Sequence, residues 1–202
     1  MGYGKKSDLE TGKTFDLDKT YINVIKPAAE AAGYQCVRGD EIIESGLIDK
    51  SMYTMLVYSD LVIADISTYN PNAIYELGIR HAAKPFSTII IKEDEGKLPF
   101  DLSHSKIFHY KHLGDDIGKT EADRCVHDLK NLIETVSVSK EVDSPLFEFI
   151  KSLSPHDLNE DEYKIFKSIE CDILNDGSLD YPEDILACFD IVIASIHSNL
   201  KM

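Results

Sequence analysis

The apolar positions of the chain follow two periods, and their alternation outlines a predicted fold. Two stretches, 61–66 and 87–92, are near-continuous apolar runs, which is typical of parallel strands covered on both faces. Other stretches repeat apolar residues every three or four positions, as one face of a helix does. The predicted strands cover 34–38, 61–66, 87–92 and 106–111. The predicted helices cover 16–32, 47–58, 72–84 and 120–136, and Pro27 is expected to disturb the first of them.

Strands that alternate with helices predict an α/β fold with a parallel sheet. We interpret residues 1–137 as a flavodoxin- or Rossmann-like three-layer α/β/α domain and 138–145 as a linker. Residues 146–202 are predicted to form a helical extension, because 145–153, 160–174 and 182–200 have helical spacing with no strand between them. Ligands bind such sheets at the carboxyl ends of the strands, so Asp65 and the loop after it lie at the expected binding edge.

Charge and cysteine content narrow the range of partners. The net charge is −15 over 202 residues and basic residues are not concentrated anywhere, which argues against nucleic acid as a partner. No apolar run approaches the roughly 18 residues of a membrane span, and the first residues lack the apolar core of a signal peptide. The 4 cysteines are widely spaced, which favours reduced thiols in the cytoplasm. Neither the histidines of 104–112 nor the acidic segment 172–183 has a convincing ligand set, so we predict no metal and no cofactor.

The stretch ADISTYNPNAIYELGIRHA contains the candidate chemistry. It leaves a predicted strand through Asp65, crosses a polar loop and enters a helix. Asn70 is a good N-cap and the proline after it suits the first helical turn, so the helix begins at the edge where Asp65 ends its strand. Two interpretations of Glu76 stay open: a solvated partner of Arg80 four residues later, or a site residue. Asp65, Asn70 and Asn72 can each be explained as caps alone.

The segments ADIS and NPNAIYELGIRHA resemble the nucleoside 2-deoxyribosyltransferase superfamily, whose members carry an NPNxxYELG signature. The resemblance covers residues 1–135, because GYGKK is similar to the family's glycine loop and 45–65 to its helix and third strand. Family members break the N-glycosidic bond between a base and a ribose or deoxyribose. The resemblance therefore implies a small-molecule nucleoside or nucleotide as the ligand.

The resemblance assigns roles to residues in and near this stretch. It implies that Glu76 is the nucleophile, which forms a glycosyl-enzyme that water or a second base resolves. Asp65 is the second expected catalytic residue, and it or Asn70 would hold sugar hydroxyls or a base edge. Ser67 and Tyr75 complete the expected binding residues there, with core packing as an equal alternative for Tyr75.

The glycine loop is expected to bind a 5′-phosphate. Backbone N–H groups around Gly2, Tyr3 and Gly4, together with those at the helix start near Asn72, would receive it. The loop has no strand before it in the sequence. Either the fold begins differently, or the natural chain begins upstream of Met1.

One position departs from the family pattern. The helix before the third strand usually offers an acidic residue to the site, and the matching position is Met52, with Asp49 as a possible substitute one turn earlier. Three hypotheses therefore stay open: an N-glycosidase or deoxyribosyltransferase, a TIR-like NAD glycohydrolase, and a nucleotide-sensing or partner-binding module without turnover. We also expect a homo-oligomer, because additional amphipathic helices must bury their apolar faces.

Overall fold

Strands and helices alternate along most of the chain, as the apolar pattern predicts. The computed structural model describes residues 1–8, 11–42, 48–98, 102, 105–153, 168–172, 182, 187 and 191–195. The strands are β1 Lys5–Ser7, β2 Thr14–Asp16, β3 Val62–Asp65, β4 Thr88–Glu93, β5 Ile107–Tyr110, β6 Ser168–Asp172 and β7 Ile191–Ser195. The helices are α1 Leu17–Thr20, α2 Lys26–Ala31, α3 Ile48–Tyr58, α4 Pro71–Ala83, α5 Lys119–Val138 and α6 Pro145–Phe149. The chain divides into two compact units, Met1–His156 and Asp157–Met202, which are described separately.

The first unit is built on a parallel sheet of three strands in the order β3-β4-β5. The register places Ile63 beside Ile89 and Ile90 beside Ile107. Every residue of β4 is buried, as expected for a central strand. The predicted strands over 61–66, 87–92 and 106–111 are confirmed, and so is the α/β class.

Apolar clusters lie on both faces of this sheet. One contains Ile89 and Ile91 of β4 together with side chains of α2 and α5, including Leu129. The other contains Ile90, which packs with Leu77 of α4. Successive side chains of a strand point to opposite faces, so the run of three isoleucines serves both clusters.

The predicted helix over 16–32 forms as three consecutive segments. α1 leads into a π-helical turn, Tyr21–Ile25, which leads into α2. Pro27 lies in the first turn of α2. Proline lacks an N–H group and its ring crowds the carbonyl four residues earlier, so the wider turn before it accommodates both effects. The helix is confirmed, and its irregular part lies next to Pro27.

The start of the chain forms a hairpin that the sequence pattern does not predict. β1 pairs antiparallel with β2, and Ser7 lies opposite Thr14. All residues of β1 are exposed, so no apolar alternation marks the strand. The predicted strand over 34–38 is wrong, because these residues form no regular structure. An extended segment becomes a strand only when a neighbour completes its hydrogen bonds, and no described strand pairs with this one.

The predicted linker over 138–145 lies inside the first unit. The backbone N–H of Thr88 donates to Asp143 Oδ2 over 2.8 Å. The Ser144 hydroxyl donates to the carbonyl oxygen of His81 over 2.6 Å. These bonds attach the segment to β4 and α4, so the first unit continues to His156 rather than ending at residue 137.

The second unit contains strands where helices are predicted. β6 and β7 pair in parallel, with Ile169 opposite Val192. The predicted helices over 160–174 and 182–200 are therefore wrong at 168–172 and 191–195, and most of the remainder of both ranges lies outside the described residues. Residues 191–193 are all β-branched, which favours a strand over a helix. The predicted helix over 145–153 is confirmed over Pro145–Phe149, where α6 lies in the first unit.

Within the described ranges, no helix has both the length and the apolar character needed to cross a membrane. The same ranges hold no group of three or more histidine, cysteine, aspartate or glutamate side chains placed to bind a metal ion. Most of the acidic segment 172–183 falls outside them.

Candidate functional site

Glu76, in the second turn of α4, lines a cavity of about 380 Å³. The walls come from the first residues of the chain, the helical segment before 32, the segment 34–42, α3 and the residues just before β3. Polar and sulfur-containing side chains in these walls include those of Tyr3, Tyr21, Cys36, Arg38, Met52 and Asp60. A larger hollow of about 700 Å³, between the π-helical turn and α5, contains none of the predicted site residues.

Arg80 does not pair with Glu76. Its side chain is 1% exposed, and its guanidinium donates to the carbonyl oxygens of Leu56 (2.8 Å), Ser59 (2.9 Å) and Ser87 (3.1 Å). A helical pair at this spacing would require Arg80 to lie on the surface. The interpretation of Glu76 as half of a solvated ion pair with Arg80 is therefore wrong.

The Glu76 carboxylate is not held by any donor among the described residues: no hydrogen bond or salt bridge reaches it. Burial raises the pKa of Glu76, and the α-amino group of Met1 partly opposes this shift. The pKa of the Tyr3 hydroxyl is also raised, first by burial and then by the charges of Glu76 and Asp40. A partly buried carboxylate that faces a cavity has surroundings that make it more basic and more nucleophilic.

Arg38 fixes one wall of the cavity. Its guanidinium lies 5.2 Å from the ring centre of Tyr3 and 4.6 Å from that of Tyr21. Two carboxylates hold its edges: Asp40 accepts from Nε and Nη2 at 2.6 Å each, and Asp18 Oδ1 accepts from Nη1 at 2.6 Å. The side chain is only 12% exposed. Arg38 therefore holds the aromatic rings in place and has its main donors occupied.

Tyr21 is held by a second set of bonds in the same wall. Its hydroxyl donates to Glu41 Oε2 over 2.7 Å, and the backbone N–H of Arg38 donates to the same oxygen over 3.2 Å. These two donors lower the pKa of Glu41 to about 2. Burial, followed by the bond to Glu41, raises the pKa of Tyr21, so its hydroxyl stays protonated at neutral pH.

The glycine loop lies against the start of α4, as the sequence predicts. A Cβ added at Gly2 would lie 3.0 Å from Leu17 Cδ1 and 3.5 Å from Asn70 Nδ2. Gly4 has φ +62°, a conformation that favours glycine. Its N–H donates to Asp18 Oδ1 over 3.1 Å. The loop and the helix start thus come together, but a carboxylate of the chain already occupies one of the expected phosphate donors.

Asp65 lies outside this cavity in a buried network. It is 2% exposed, and its Oδ1 accepts from the Ser67 N–H (2.9 Å) and the Ser67 hydroxyl (2.5 Å). Its Oδ2 accepts from the Tyr110 hydroxyl (2.9 Å), which also lies 2.8 Å from Ser67 Oγ. The Glu93 N–H donates to Ser67 Oγ over 2.8 Å. Both Asp65 oxygens are therefore used to join the ends of β3, β4 and β5.

The predicted cap is confirmed and Tyr75 lies on the surface. Asn70 Oδ1 accepts from the N–H groups of Asn72 (2.9 Å) and Ala73 (3.3 Å) at the start of α4. The Asn72 side chain is exposed. Tyr75 is 63% exposed and does not line the cavity, so it is neither core nor part of the cavity wall.

α3 brings Met52 to the cavity. Met52 lines the same cavity as Glu76, at the position where the resemblance to deoxyribosyltransferases predicts an acidic residue. Asp49 lies in α3, with its side chain outside the described part of the structure. Met52, the position that departs from the deoxyribosyltransferase pattern, therefore lies in the cavity wall.

The sequence analysis overlooks Arg38, Asp18 and Tyr21. Arg38 ends the stretch predicted as a strand, and a polar Gly-Asp-Glu follows it. The rule that drew attention to Asp65, that ligands bind where strands end, applies equally to the end of this stretch. The end of this stretch is therefore a signal for Arg38, whereas Asp18 and Tyr21 have no separate signal because they lie within a helical pattern.

Comparisons with known proteins assign no family to the chain. No family model matches it, and no solved structure matches it. The DNA polymerase/3′-5′ exonuclease PolX of Bacillus subtilis (strain 168) is 56% identical over 41 residues, which are 20% of this chain and 7% of that protein. A similarity of this length leaves the activity of the Glu76 cavity to be argued from its own geometry.

Proposed function

We propose that the cavity around Glu76 binds a nucleoside or nucleotide and breaks its N-glycosidic bond, with Glu76 as the nucleophile. One observation carries the proposal: a partly buried carboxylate faces a cavity of about 380 Å³, and no described residue donates to it. The alternative of a surface pair is removed because Arg80 is buried elsewhere. The resemblance of the surrounding NPNAIYELG segment to deoxyribosyltransferases supplies the bond type.

In the proposed reaction, a Glu76 oxygen forms a bond to the anomeric carbon while the bond from that carbon to the base nitrogen breaks. The base leaves with the electron pair and takes up a proton from solvent; water or a second base then displaces the carboxylate and loses a proton to solvent. Positive charge develops on the sugar ring in the transition state, and the carboxylates of Glu76 and Asp60 in the cavity favour it. The Tyr3 hydroxyl, whose raised pKa keeps it protonated at neutral pH, lines the same cavity and can donate a hydrogen bond to the substrate.

The fold is consistent with this proposal. Clusters on both faces of the β3-β4-β5 sheet support a flavodoxin- or Rossmann-like three-layer arrangement. Free thiols at Cys36 and Cys125 suit a reducing cytoplasm. Cytoplasmic location and a homo-oligomeric state stay predictions.

Base release tests the proposal. The full chain is incubated with the four 2′-deoxynucleosides, the four ribonucleosides, their 5′-monophosphates and NAD, and free base is measured by chromatography. We expect release by the wild type and a loss of about 10³-fold in Glu76→Ala, because the covalent step requires the carboxylate. Glu134→Gln, which alters an exposed carboxylate on α5, is the matched control and is expected to behave like the wild type.

Two results would contradict the proposal. The first is equal base release by Glu76→Ala and the wild type, which would remove Glu76 as the nucleophile. The second is no release from any substrate. Release from NAD alone would favour the TIR-like alternative while keeping Glu76 in the same role.

A binding module is the second candidate, and Met52 favours it. In the family an acidic residue usually stands at this position, whereas a thioether lines the cavity here. A thioether neither ionises nor transfers a proton. Stabilisation of the protein against heat by a nucleoside, without any base release, would identify this function.

A further inference from the structure

We propose that Asp18 is a specificity-determining residue that keeps 5′-phosphorylated substrates out of the Glu76 cavity, so that the site takes unphosphorylated nucleosides. This inference rests on the proposed function, because it concerns the substrate of the same cavity. It follows from three groups of donors that a phosphate could use and that the chain itself occupies; the resemblance assigns the first two to a 5′-phosphate, and the structure adds the third.

The glycine loop is the first group. Gly4 turns its N–H towards Asp18 Oδ1, which accepts it over 3.1 Å. This bond is the main cause that lowers the pKa of Asp18, with Arg38 adding to it, so the carboxylate is ionised at neutral pH. A phosphate at this loop would have to displace a negative charge that already satisfies the donor.

The amino terminus of α4 is the second group. A helix start binds anions through its free N–H groups. Here the N–H groups of Asn72 and Ala73 both donate to Asn70 Oδ1, at 2.9 and 3.3 Å. The Asn70 side chain that caps α4 therefore also occupies the N–H donors that a phosphate would use.

Arg38 is the third group and the only arginine among the described residues that line the cavity. Its Nη1 donates to the same Asp18 oxygen that accepts from Gly4, and its Nε and Nη2 donate to Asp40. Two carboxylates thus face one guanidinium, and the three groups together carry net negative charge. A phosphate dianion approaching Arg38 would be repelled by Asp18 and Asp40 before it gained a donor.

Asp18 is the residue common to two of these groups. It accepts from the loop and from the arginine with one oxygen, and its side chain is 40% exposed, so solvent and ligands reach it. Removing its carboxylate would free the Gly4 N–H and one Arg38 N–H, which both point at the position of the same Asp18 oxygen. That pair is the beginning of an anion site, because a backbone donor and a guanidinium would converge.

The test measures binding separately from turnover. Calorimetry gives the dissociation constants of deoxyadenosine and deoxyadenosine 5′-monophosphate for the full chain carrying Glu76→Gln, which retains the shape of the cavity. We expect the nucleoside to bind at least about tenfold more tightly than its monophosphate. Adding Asp18→Ala should tighten monophosphate binding by about tenfold, because two donors are freed and one negative charge is lost.

Two further variants separate charge from fold. Asp18→Asn keeps an acceptor for Gly4 and Arg38 while removing the charge, so it should tighten monophosphate binding less than Asp18→Ala does. Glu134→Gln on α5 is the matched control, because this exposed carboxylate pairs with Lys130 and bonds neither Gly4 nor Arg38; the ratio of the two affinities should stay within about threefold of its starting value. The thermal unfolding midpoint of each variant checks that it is folded, and Asp18→Asn still decides the question if Asp18→Ala is not.

Three outcomes would overturn the inference. They are monophosphate binding at least as tight as nucleoside binding, no gain in either Asp18 variant, and no measurable binding of the nucleoside. The proposed function fails by a different result, the absence of base release from every substrate by the wild type. A protein that cleaves monophosphates faster than nucleosides would keep the function and lose this inference.

Discussion

Two carboxylates of the same stretch, Asp65 and Glu76, have opposite surroundings. Asp65 is 2% exposed and accepts from the Ser67 N–H, the Ser67 hydroxyl and the Tyr110 hydroxyl. Glu76 lines a cavity, and no described residue donates to it. Burial alone therefore does not identify a reactive acid. The number of hydrogen-bond donors around the carboxylate distinguishes the two. A carboxylate whose oxygens already accept hydrogen bonds stabilises the structure, whereas a carboxylate without donors is available to a ligand.

The largest expected difference in stability is at Asp65. Asp65→Ala should lower the free energy of unfolding by about 3 kcal/mol, because it leaves buried donors of Ser67 and Tyr110 without their acceptor. Tyr110→Phe, which removes one of these donors, should cost about 1 kcal/mol. Denaturant titration followed by circular dichroism measures both.

The control for these variants is Asp60→Ala, at the exposed residue just before β3. Its unfolding free energy should lie within about 0.5 kcal/mol of the wild type, as for most surface substitutions. If Asp65→Ala were equally harmless, the distinction between a satisfied structural carboxylate and the Glu76 carboxylate would not hold.

A smaller effect is expected where the cavity wall is tightest. A Cβ at Gly39 would lie 2.6 Å from the Tyr3 hydroxyl oxygen, so Gly39→Ala must push the Tyr3 side chain aside. We expect kcat/KM for base release to fall by about threefold to tenfold, because a displaced wall group positions the substrate less well. Gly78→Ala is the matched control, since a Cβ there meets nothing within 4 Å. An unchanged kcat/KM in Gly39→Ala would remove Tyr3 from the working part of the cavity.

The smallest effect concerns pH. Burial raises the pKa of Glu76 above its ordinary value of 4.5, so the folded state favours the neutral form. That contribution to stability is complete below the unfolded pKa and is lost as pH rises through the folded pKa. Glu76→Gln, which is always neutral, should be more stable than the wild type at pH 7 by less than about 1 kcal/mol. The difference should disappear below the unfolded pKa of 4.5.

The same shift predicts the pH dependence of activity. The proposed nucleophile, Glu76, must be ionised to react, so kcat/KM for base release should rise with pH through a pKa above 4.5. A profile that is flat across this range, or a Glu76→Gln variant less stable than the wild type at pH 7, would contradict the assignment of unsatisfied surroundings to Glu76.

Elements that have a repeating apolar pattern or a strong local rule for their ends could be predicted from the sequence. Apolar runs located β3, β4 and β5, and the Asn-Pro pair located the start of α4, because both patterns act within a few residues. The hairpin of β1 and β2 was missed since its exposed residues carry no apolar pattern. The parallel pair β6-β7 was predicted as helix because periodicity in short apolar segments does not separate the two structures well.

Within the site, the sequence located Glu76 but could not separate it from Asp65. Their difference lies in Tyr110 and Arg80, which reach their partners only through the fold: Tyr110 is 45 positions from Asp65, and Arg80 contacts a carbonyl 24 positions away. Asp18 and Arg38 likewise meet Gly4 only through tertiary structure. Contacts of this kind between distant residues produce no periodic pattern in the sequence.

The buried guanidinium of Arg80 has a consequence for motion. It connects α4, one turn beyond Glu76, to the end of α3 through Leu56 and Ser59 and to the residue before β4 through Ser87. A helix fastened at that point cannot swing on its own, so the carboxylate is carried on the rigid side of the cavity. Any opening of the cavity around a ligand must therefore come from wall elements other than α4.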